Sequence, residues 1–374
     1  MRILQLISHM ETYSGPVRTL AVLSRELLRR GHEVTVAYYK GPEGPAVREL
    51  REAGVPVTDL GWGRDELTRS QRIRLVARLA RLCFVRRIQA LHAHNFDADM
   101  YATAIGPICR TPVYVTVHSR SYMKWVSEHE RSYRRRVFPH VRRFACVSDF
   151  MAGTLVEACP QVQGRTVVVR NGVSDVFFNP GDETVRDRLR KEFYVFGDKC
   201  LIGFAGNYNW VKGFEYFLGA LRELTDLDFR VVVAGGGYDK KRNEWNALLE
   251  PGSVRDRIVF TGPRTDMPQI MAAIDIFVCS SVEESDSWVV SEALAAGRPV
   301  VAAASGGIPE KIVHGETGVL VPPASSRELA DAIRKLIADP RQCGRLGANA
   351  AAYAAGHLSA TAMCDAYEKM YGVS

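Results

Sequence analysis

Short runs rich in β-branched residues alternate with longer amphipathic stretches from one end of this 374-residue chain to the other. Such alternation is typical of βαβ units, in which a helix connects each strand to the next parallel strand. In the first half, the predicted strands are 3–7, 34–38, 56–60, 89–92, 112–117 and 167–170. In the second half, they are 201–205, 230–234, 258–260, 275–279 and 299–302. The pattern predicts an α/β protein with two parallel sheets.

A cluster of turn residues interrupts this alternation between the two sets of strands. The segments Arg170-Asn171-Gly172-Val173-Ser174 and Asn179-Pro180-Gly181 are rich in residues that favour turns. The chain is also longer than one hydrophobic core usually accommodates. We place a linker near residues 171–185 and predict domains at 1–180 and 181–357. Ligands bind outside the carboxyl ends of parallel strands, so two sheets facing one another would enclose a cleft.

Basic charge is concentrated in the first half. Residues 1–174 contain 27 Lys and Arg and 15 Asp and Glu, a net charge of +12 against +7 for the whole chain. Solvated helix faces explain this charge as well as a membrane surface or an anionic acceptor does. Nucleic acid is not expected, because no nucleic-acid motif accompanies the charge. The two arginine clusters comprise Arg69, Arg72, Arg74, Arg78, Arg81, Arg86 and Arg87, and then Arg131, Arg134, Arg135, Arg136, Arg142 and Arg143.

The apolar segments and the cysteine pattern indicate the cellular compartment of the protein. No segment approaches the roughly 20 apolar residues that cross a bilayer, and the apolar run at the start is too short for a signal peptide. The eight cysteines are scattered without a C-x-x-C pair, so no zinc site is expected. These features predict a cytoplasmic protein, either free or peripheral at the inner face of the cytoplasmic membrane.

Two glutamates, Glu284 and Glu292, lie eight residues apart after the predicted strand 275–279. If a helix begins near Ser287, Glu284 lies in a loop and Glu292 lies about one turn into the helix. The amides of Asp286, Ser287 and Trp288 would then point from a helix N-terminus, which favours a diphosphate. Two acids on a capped surface helix are the alternative interpretation.

The residues around these glutamates resemble the family-4 retaining glycosyltransferases, which have the GT-B fold of two facing Rossmann-like domains. The resemblance covers nearly the whole chain. It implies that Glu292 binds the ribose hydroxyls, that Glu284 binds the transferred sugar and that a final helix at 358–374 packs back on the first domain. The matching segments are Ala295-Ala296-Gly297-Arg298-Pro299-Val300, Ser305-Gly306-Gly307-Ile308-Pro309-Glu310 and His314-Gly315-Glu316-Thr317-Gly318-Val319-Leu320-Val321-Pro322.

A second motif, Gly206-Asn207-Tyr208-Asn209-Trp210-Val211-Lys212-Gly213, follows the first strand of the second half. A lysine at a helix start can bind phosphate. In the family, an arginine five residues before this lysine also contacts the diphosphate, but here Asn207 occupies that position. Either Lys212 acts alone or another cation, such as Arg18 or Arg264, compensates. The family also implies that the glycine stretch at Gly235 borders the nucleotide.

The first half contributes a glycine loop and a histidine. Gly15 lies between the first strand and first helix, where it permits close approach of a phosphate or an acceptor, although a plain turn is the alternative. His118 ends the strand 112–117 and resembles the family histidine that hydrogen-bonds a sugar hydroxyl; a structural histidine is the alternative. His92 and His94 lack neighbouring carboxylates, so a metal pair is rejected, and Asp97-Ala98-Asp99 is interpreted as helix capping.

Taken together, the resemblance implies a metal-independent, retaining enzyme without a cofactor that transfers sugar from a nucleotide donor, such as a UDP- or GDP-sugar, to a hydroxyl. The acceptor would be a glycan, a lipid-linked molecule or a small molecule, as in cell-envelope polysaccharide biosynthesis. A nucleotide-sugar epimerase, a phosphorylase and a non-catalytic binding subunit remain alternatives. Glu284, His118 and Lys212 are the predicted catalytic residues. The predicted donor-binding residues are Gly15, Arg18, Gly206, Asn207, Lys212, Gly235, Arg264, Asp286, Ser287, Trp288, Val289 and Glu292.

Overall fold

The computed structural model describes residues 1–61, 67–129, 132–236, 245 and 254–373. The chain divides into two compact units, Met1–Gly172 with Ala360–Ser374, and Val173–Ser359. The predicted domain bounds were 1–180 with 358–374, and 181–357. In the structure, the second unit begins at Val173, a few residues before the predicted boundary at 181.

The first unit contains a seven-stranded parallel sheet in the order β3-β2-β1-β4-β5-β6-β7. In β1 and β2, six consecutive residues are buried, which is the pattern of strands that are covered on both faces. The strands are β1 (Arg2–His9), β2 (Glu33–Lys40), β3 (Val57–Asp59), β4 (Ala90–Ala93), β5 (Val113–Val117), β6 (Val141–Cys146) and β7 (Thr166–Val168).

Helices follow most of these strands and cover the sheet. Helix α1 buries Val17, Leu20, Leu23 and Leu27 at helical spacing, so its apolar face packs inward. The helices of this unit are α1 (Gly15–Arg29), α2 (Pro45–Glu52), α3 (Arg69–Val85), α4 (Phe96–Cys109), α5 (Arg120–Glu128) and α6 (Asp149–Ala158), with the C-terminal helix (Ala360–Tyr371), named α13 below.

The second unit contains a six-stranded parallel sheet in the order β10-β9-β8-β11-β12-β13. Its strands are β8 (Cys200–Ala205), β9 (Phe229–Ala234), β10 (Ile258–Gly262), β11 (Ile276–Cys279), β12 (Val300–Ala303) and β13 (Gly318–Val321). Its helices are α7 (Glu183–Glu192), α8 (Phe214–Arg222), α9 (Met267–Ala273), α10 (Trp288–Ala295), α11 (Ser326–Ala338) and α12 (Pro340–His357). The prediction of two parallel-sheet, Rossmann-like domains is confirmed.

Two strands were missing from the prediction. Strand β6 carries the exposed Arg142 and Arg143 beside buried residues, so its sequence lacks a clean apolar run. Its pairing with β5 is also irregular between Val113 and Tyr114. Strand β13 is a short edge strand whose central residues are only half-buried. Two exposed arginines thus interrupt the apolar run of β6, whereas β13 is only four residues long.

The arginine clusters lie on several elements. Arg134, Arg135 and Arg136 are exposed on a π-helical turn at Tyr133–Val137, so they do not form a regular helix face with Arg142 and Arg143. In α3 the buried residues are Leu75, Leu79 and Cys83, whereas Ile73 is 63% exposed. Arg131 lies outside the described residues. Among the described residues, no helix is both long and apolar enough to cross a membrane.

Helix α13 is held on the first unit by an ionic cluster. Arg30 at the end of α1 contacts Asp365 at 2.6 Å and Glu368 at 2.5 Å, and Glu26 contacts the same guanidinium at 3.0 Å. His32 also contacts Glu368, at 2.7 Å. Because the side chains of Arg30 and Glu368 are each only 18% exposed, solvent screens this cluster less than a surface pair.

We expect Glu368→Ala to lower the free energy of unfolding of the first unit by about 1–3 kcal/mol, since Arg30 and His32 lose a charged hydrogen-bond partner. Urea unfolding combined with hydrogen exchange at first-unit amides measures this change. The exposed neighbour Lys369 supplies the control, because Lys369→Ala should stay within about 0.5 kcal/mol of the wild type. Equal effects of the two variants would show that the ionic cluster does not hold the helix.

Candidate functional site

The candidate site of the second unit lies at the carboxyl edge of its sheet. Strand order reverses between β8 and β11, and ligands of open α/β sheets bind at such a switch point. The loops after these two strands, Gly206–Gly213 and Ser280–Ser287, contain most of the predicted site residues. The loops after β9 and β12 begin at the same edge because all the strands are parallel.

Lys212 and Glu284 form an ion pair across these two loops, with Nζ and Oε2 separated by 2.5 Å. The side chains are 27% and 14% exposed, so the pair is largely shielded from solvent. Burial disfavours the charged ammonium, but the adjacent Glu284 carboxylate outweighs it and raises the pKa of Lys212 above its ordinary value. Lys212 is therefore a fixed positive charge at the switch point.

Glycines let the backbones of the loops pack directly against one another. A Cβ at Gly213 would lie 2.0 Å from the Ser280 carbonyl oxygen, and one at Gly306 would lie 1.6 Å from that of Glu284. Gly235 has φ near +143°, and a Cβ there would lie 1.9 Å from the carbonyl oxygen of Gly206. No residue with a side chain fits these positions, so the loops require glycine to come together.

Helix α10 begins at Trp288, directly after Ser287, whose φ of 63° is left-handed. The first amides of a helix, here those of Trp288 and Val289, lack partners within the helix and carry the positive end of its dipole. Glu292 lies about one turn further on and is only 3% exposed. The predicted positions of the loop and the helix start are thus what the structure shows, and both glutamates belong to the same loop–helix element.

The Asp286 carboxylate points into the protein. It forms an ion pair with Lys311 at 2.7 Å, and the two side chains are 5% and 1% exposed. Lys311 also donates to the Ser291 hydroxyl at 2.7 Å and to the Ser287 carbonyl at 3.3 Å. The Asp286 side chain therefore serves to anchor the start of α10, and any role in donor binding falls to its backbone. Sequence reasoning missed Lys311, because no local pattern connects it with Asp286.

Asn207, which occupies the position of the missing arginine, and Arg264, one of the cations expected to compensate for it, differ in their surroundings. Asn207 is exposed in the loop after β8, beside Gly236. Arg264 binds both carboxylate oxygens of Asp266 at 2.8 and 2.7 Å and contacts Glu192 at 2.8 Å. Hydrogen bonding to Asp266 raises the pKa of Arg264, so its charge is permanent but already balanced by two carboxylates.

The first unit has its own switch point, between β1 and β4. A cavity of about 310 Å³ lies there, lined by polar side chains that include Ser8, His9, Asn95 and His118. Gly15 is the first residue of α1, and the Arg18 guanidinium lies over the ring of Tyr13 at 5.3 Å. Gly15, Arg18 and His118 therefore belong to the first unit, whereas Lys212 and Glu284 belong to the second.

His118 is held by a neighbouring histidine. Its Nε2 lies 3.3 Å from Nδ1 of His94, whose Nε2 contacts Oε1 of Gln5 at 2.6 Å. Burial lowers the pKa of His118 to about 3, so this imidazole is neutral at physiological pH. The described residues contain no group of three or more His, Cys, Asp or Glu side chains that could hold a metal ion.

The Asp97-Ala98-Asp99 segment lies in the first turn of α4. Asn95, not an aspartate, caps this helix, with its side chain accepting from the Ala98 amide at 3.3 Å. Asp97 contacts Lys40 at 2.5 Å, and Asp99 accepts from the Tyr122 hydroxyl at 2.7 Å. Burial raises the pKa of Asp99 well above its ordinary value. Both aspartates thus have structural partners, and the expectation that they cap the helix was wrong.

Family models match both halves of the chain. Residues 13–176 match the model described as glycosyltransferase family 4, and residues 199–339 match the model described as glycosyl transferases group 1. Each match covers most of one structural unit.

Curated relatives of the chain are also named glycosyltransferases. A D-inositol 3-phosphate glycosyltransferase from Corynebacterium glutamicum is 32% identical over 198 residues, which cover 51% of this chain and 47% of the relative. A D-inositol 3-phosphate glycosyltransferase from Corynebacterium diphtheriae is 26% identical over 379 residues, which cover 94% of this chain and 87% of the relative. The match thus spans about half the length of the first relative and most of the second.

Solved structures show the same architecture. Anabaena HepE in complex with UDP is similar over 100% of both chains, with a TM-score of 0.87 and 21% sequence identity. At this identity, the likeness concerns the fold, which is the GT-B arrangement of Rossmann-like domains. From the two family models, the named relatives and this fold, we conclude that the chain belongs to the family-4 (group 1) glycosyltransferases.

Proposed function

We propose that this protein transfers a sugar from a nucleoside diphosphate sugar to a hydroxyl group, with retention of anomeric configuration and without a metal ion. The observation that carries the proposal is the Lys212–Glu284 pair at the switch point, beside the N-terminus of α10. A fixed cation and free helix amides suit a diphosphate, and a carboxylate next to them suits a sugar hydroxyl.

The donor is assigned to the second unit. Lys212 and the amides at Trp288 and Val289 would bind the diphosphate, and Glu292 would accept hydrogen bonds from the two ribose hydroxyls. Gly206 and Gly235 would leave room for the nucleotide at the same edge. The likeness to HepE in complex with UDP supports a nucleotide donor of the UDP- or GDP-sugar type, to which we assign no further specificity.

The leaving nucleoside diphosphate gains negative charge as its bond to the sugar breaks. Lys212, whose pKa lies above its ordinary value, would neutralise this charge, so no metal ion is required. Glu284 would orient the transferred sugar, and His118 would bind a sugar hydroxyl. The acceptor hydroxyl would attack from the face that the diphosphate leaves, and its proton would pass to a phosphate oxygen of the donor.

The acceptor is assigned to the first unit. Its cavity presents Ser8, Asn95 and Ser119, whose side chains both donate and accept hydrogen bonds, as hydroxylated molecules require. The name of the Corynebacterium diphtheriae relative, a D-inositol 3-phosphate glycosyltransferase, supports a hydroxylated acceptor. A glycan, a lipid-linked sugar and a small molecule all satisfy this chemistry.

We also propose that the first unit attaches to anionic membrane at the inner face of the cytoplasmic membrane. Arg134, Arg135 and Arg136 are exposed together on one turn. Elsewhere in this unit, Phe84 and Val85 at the end of the arginine-rich α3 are 60% and 68% exposed. Each basic residue near an anionic surface contributes about 1 kcal/mol, so several together support reversible attachment.

Glu292→Ala should weaken binding of the nucleoside diphosphate by about 1.5–3 kcal/mol, because charge-assisted hydrogen bonds to the ribose are lost. Isothermal titration calorimetry measures this change. Glu316 is exposed in a turn of the same unit, so Glu316→Ala is a matched control and should bind like the wild type. Unchanged affinity in Glu292→Ala would remove Glu292 from the site.

Lys212→Ala should lower kcat more than it weakens donor binding, because the charge on the leaving diphosphate is greater in the transition state than in the bound donor. Nucleoside diphosphate release and product identity, measured over a panel of nucleotide sugars and acceptors, test this and the reaction itself. Lys199→Ala is the control, since Lys199 pairs with Asp228 at 3.0 Å elsewhere in the unit. An epimerised nucleotide sugar, or activity that EDTA abolishes and magnesium restores, would contradict the proposal.

Wild-type protein should bind vesicles containing anionic lipid and dissociate as salt rises, because exposed charges are screened within roughly 8–10 Å at physiological ionic strength. Replacing Arg134, Arg135 and Arg136 together with Gln should weaken this binding in a sedimentation assay. Replacing the exposed Arg327, Arg341 and Arg345 of the second unit with Gln removes the same charge and should have a smaller effect. Equal binding to neutral and anionic vesicles at low salt would refute attachment.

A further inference from the structure

A row of polar side chains lies on one face of the first sheet, where apolar residues would normally pack. Gln5 on β1, His92 on β4, His94 directly after β4, and Thr116 on β5 are all fully buried. Parallel pairing places Gln5 beside His92 in the register of β1 and β4. Buried polar groups destabilise a fold unless each is hydrogen-bonded, so a row of them calls for a functional reason.

Hydrogen bonds connect these side chains in an unbroken series from helix α13 to the cavity. On one side, the Tyr371 hydroxyl lies 2.6 Å from Nδ1 of His92 and 3.5 Å from Nε2 of Gln5. On the other, Oε1 of Gln5 contacts Nε2 of His94 at 2.6 Å, and Nδ1 of His94 contacts Nε2 of His118 at 3.3 Å. His118 then lines the cavity of about 310 Å³. Helix α13 is thereby linked to the cavity wall through buried hydrogen bonds.

Both histidines at the cavity end are neutral. Burial lowers the pKa of His94 well below its ordinary value, with the neighbouring His92 and His118 adding to the effect, and it lowers the pKa of His118 to about 3. A neutral imidazole has one N–H donor and one lone pair. Each bond in the row therefore fixes which nitrogen of the next ring carries the proton.

From the atoms in contact, we propose that Gln5 and His94 are positioning residues that hold His118 as the Nε2–H tautomer, with its Nδ1 lone pair available to accept a hydrogen bond from a ligand. Oε1 of Gln5 can only accept, so His94 carries its proton on Nε2 and its Nδ1 accepts from Nε2–H of His118. Among the described residues, Nδ1 of His118 has no protein partner.

The orientation of the Gln5 side-chain amide determines which group donates and which accepts in every hydrogen bond of the row. With Oε1 toward His94, Nε2 faces the Tyr371 hydroxyl, which can then donate to Nδ1 of His92. The other ring nitrogen of His92 donates to the Thr116 hydroxyl at 2.7 Å. Turning the amide would reverse every donor and acceptor and would present an N–H of His118 instead. The two orientations thus give opposite tautomers, which can be distinguished experimentally.

The inference deepens the proposed function and rests on it for the identity of the ligand. A histidine fixed as an acceptor selects a sugar that has a hydroxyl at the contact point and discriminates against the deoxy analogue. Without His94, the ring of His118 would keep its place in the cavity wall but would lose its fixed tautomer.

Nuclear magnetic resonance on the full-length protein labelled with 15N-histidine tests the tautomer without any turnover. The chain has nine histidines, and comparison with His118→Asn identifies the His118 signals. We expect a protonated Nε2 and an unprotonated Nδ1 in His118. A protonated Nδ1 would overturn the proposal, whether or not the protein transfers sugar.

Two variants at position 94 separate positioning from packing. His94→Leu fills similar space without an acceptor, so His118 should become a mixture of tautomers and kcat should fall about 10- to 100-fold, the range seen when the orienting partner of a metal-ligating histidine is removed. His94→Asn restores an acceptor near the Nδ1 position and should recover the Nε2–H tautomer and most of kcat. In both variants, KM for the donor should stay within about twofold.

The remaining outcomes are also decisive. His118 signals unchanged in His94→Leu would show that His94 does not set the tautomer. Wild-type kcat in His94→Leu, or a loss of kcat that His94→Asn does not recover, would have the same meaning. If His94→Leu does not fold, Gln5→Met provides the test, because it removes the oxygen that accepts from Nε2 of His94. The His118 signals of that variant should then show a mixture of tautomers. Correct tautomers combined with absence of transfer activity would refute the proposed function but leave the inference standing.

Discussion

Backbone contacts between loops set the geometry of the second unit's site. At Gly213, Gly235 and Gly306, a side chain would collide with the carbonyl oxygen of another loop. The loops after β8, β9, β11 and β12 therefore pack main chain against main chain at the edge of the sheet. Lys212 and Glu284 project from this layer, so their positions depend on hydrogen-bonded backbone more than on flexible side-chain packing.

A buried ion pair also stabilises the loop that precedes α10. The Asp286–Lys311 pair has almost no solvent exposure, and such a pair is costly to bury unless its remaining hydrogen bonds are satisfied. Lys311 meets this condition through Ser291 and the Ser287 carbonyl. The pair therefore stabilises one particular loop conformation, in which Ser287 adopts a left-handed φ of 63° and α10 starts at Trp288.

Much of this arrangement could be predicted from local sequence, and the exceptions have physical reasons. Strands with continuous apolar runs, such as β8 and β9, were found, whereas β6 was hidden by Arg142 and Arg143. The loop–helix position of Glu284 and Glu292 followed from spacing and turn residues. The Lys311 partner of Asp286 and the Glu192 partner of Arg264 did not, because these contacts join residues distant in the chain. The i, i+2 spacing of His92 and His94 indicated that their side chains lie on the same side of the sheet, but it could not reveal the helix that covers His92.

The placement of α13 has a consequence for folding during synthesis. All seven strands of the first sheet leave the ribosome before the second unit is made, but Tyr367 and Tyr371, which cover His92 and Thr116, emerge only after that unit. The polar face of the first sheet thus stays open to water throughout synthesis of the second unit. Because Gln5, His92 and Thr116 are polar, the part of the face that α13 covers last is less apolar than an ordinary buried sheet face.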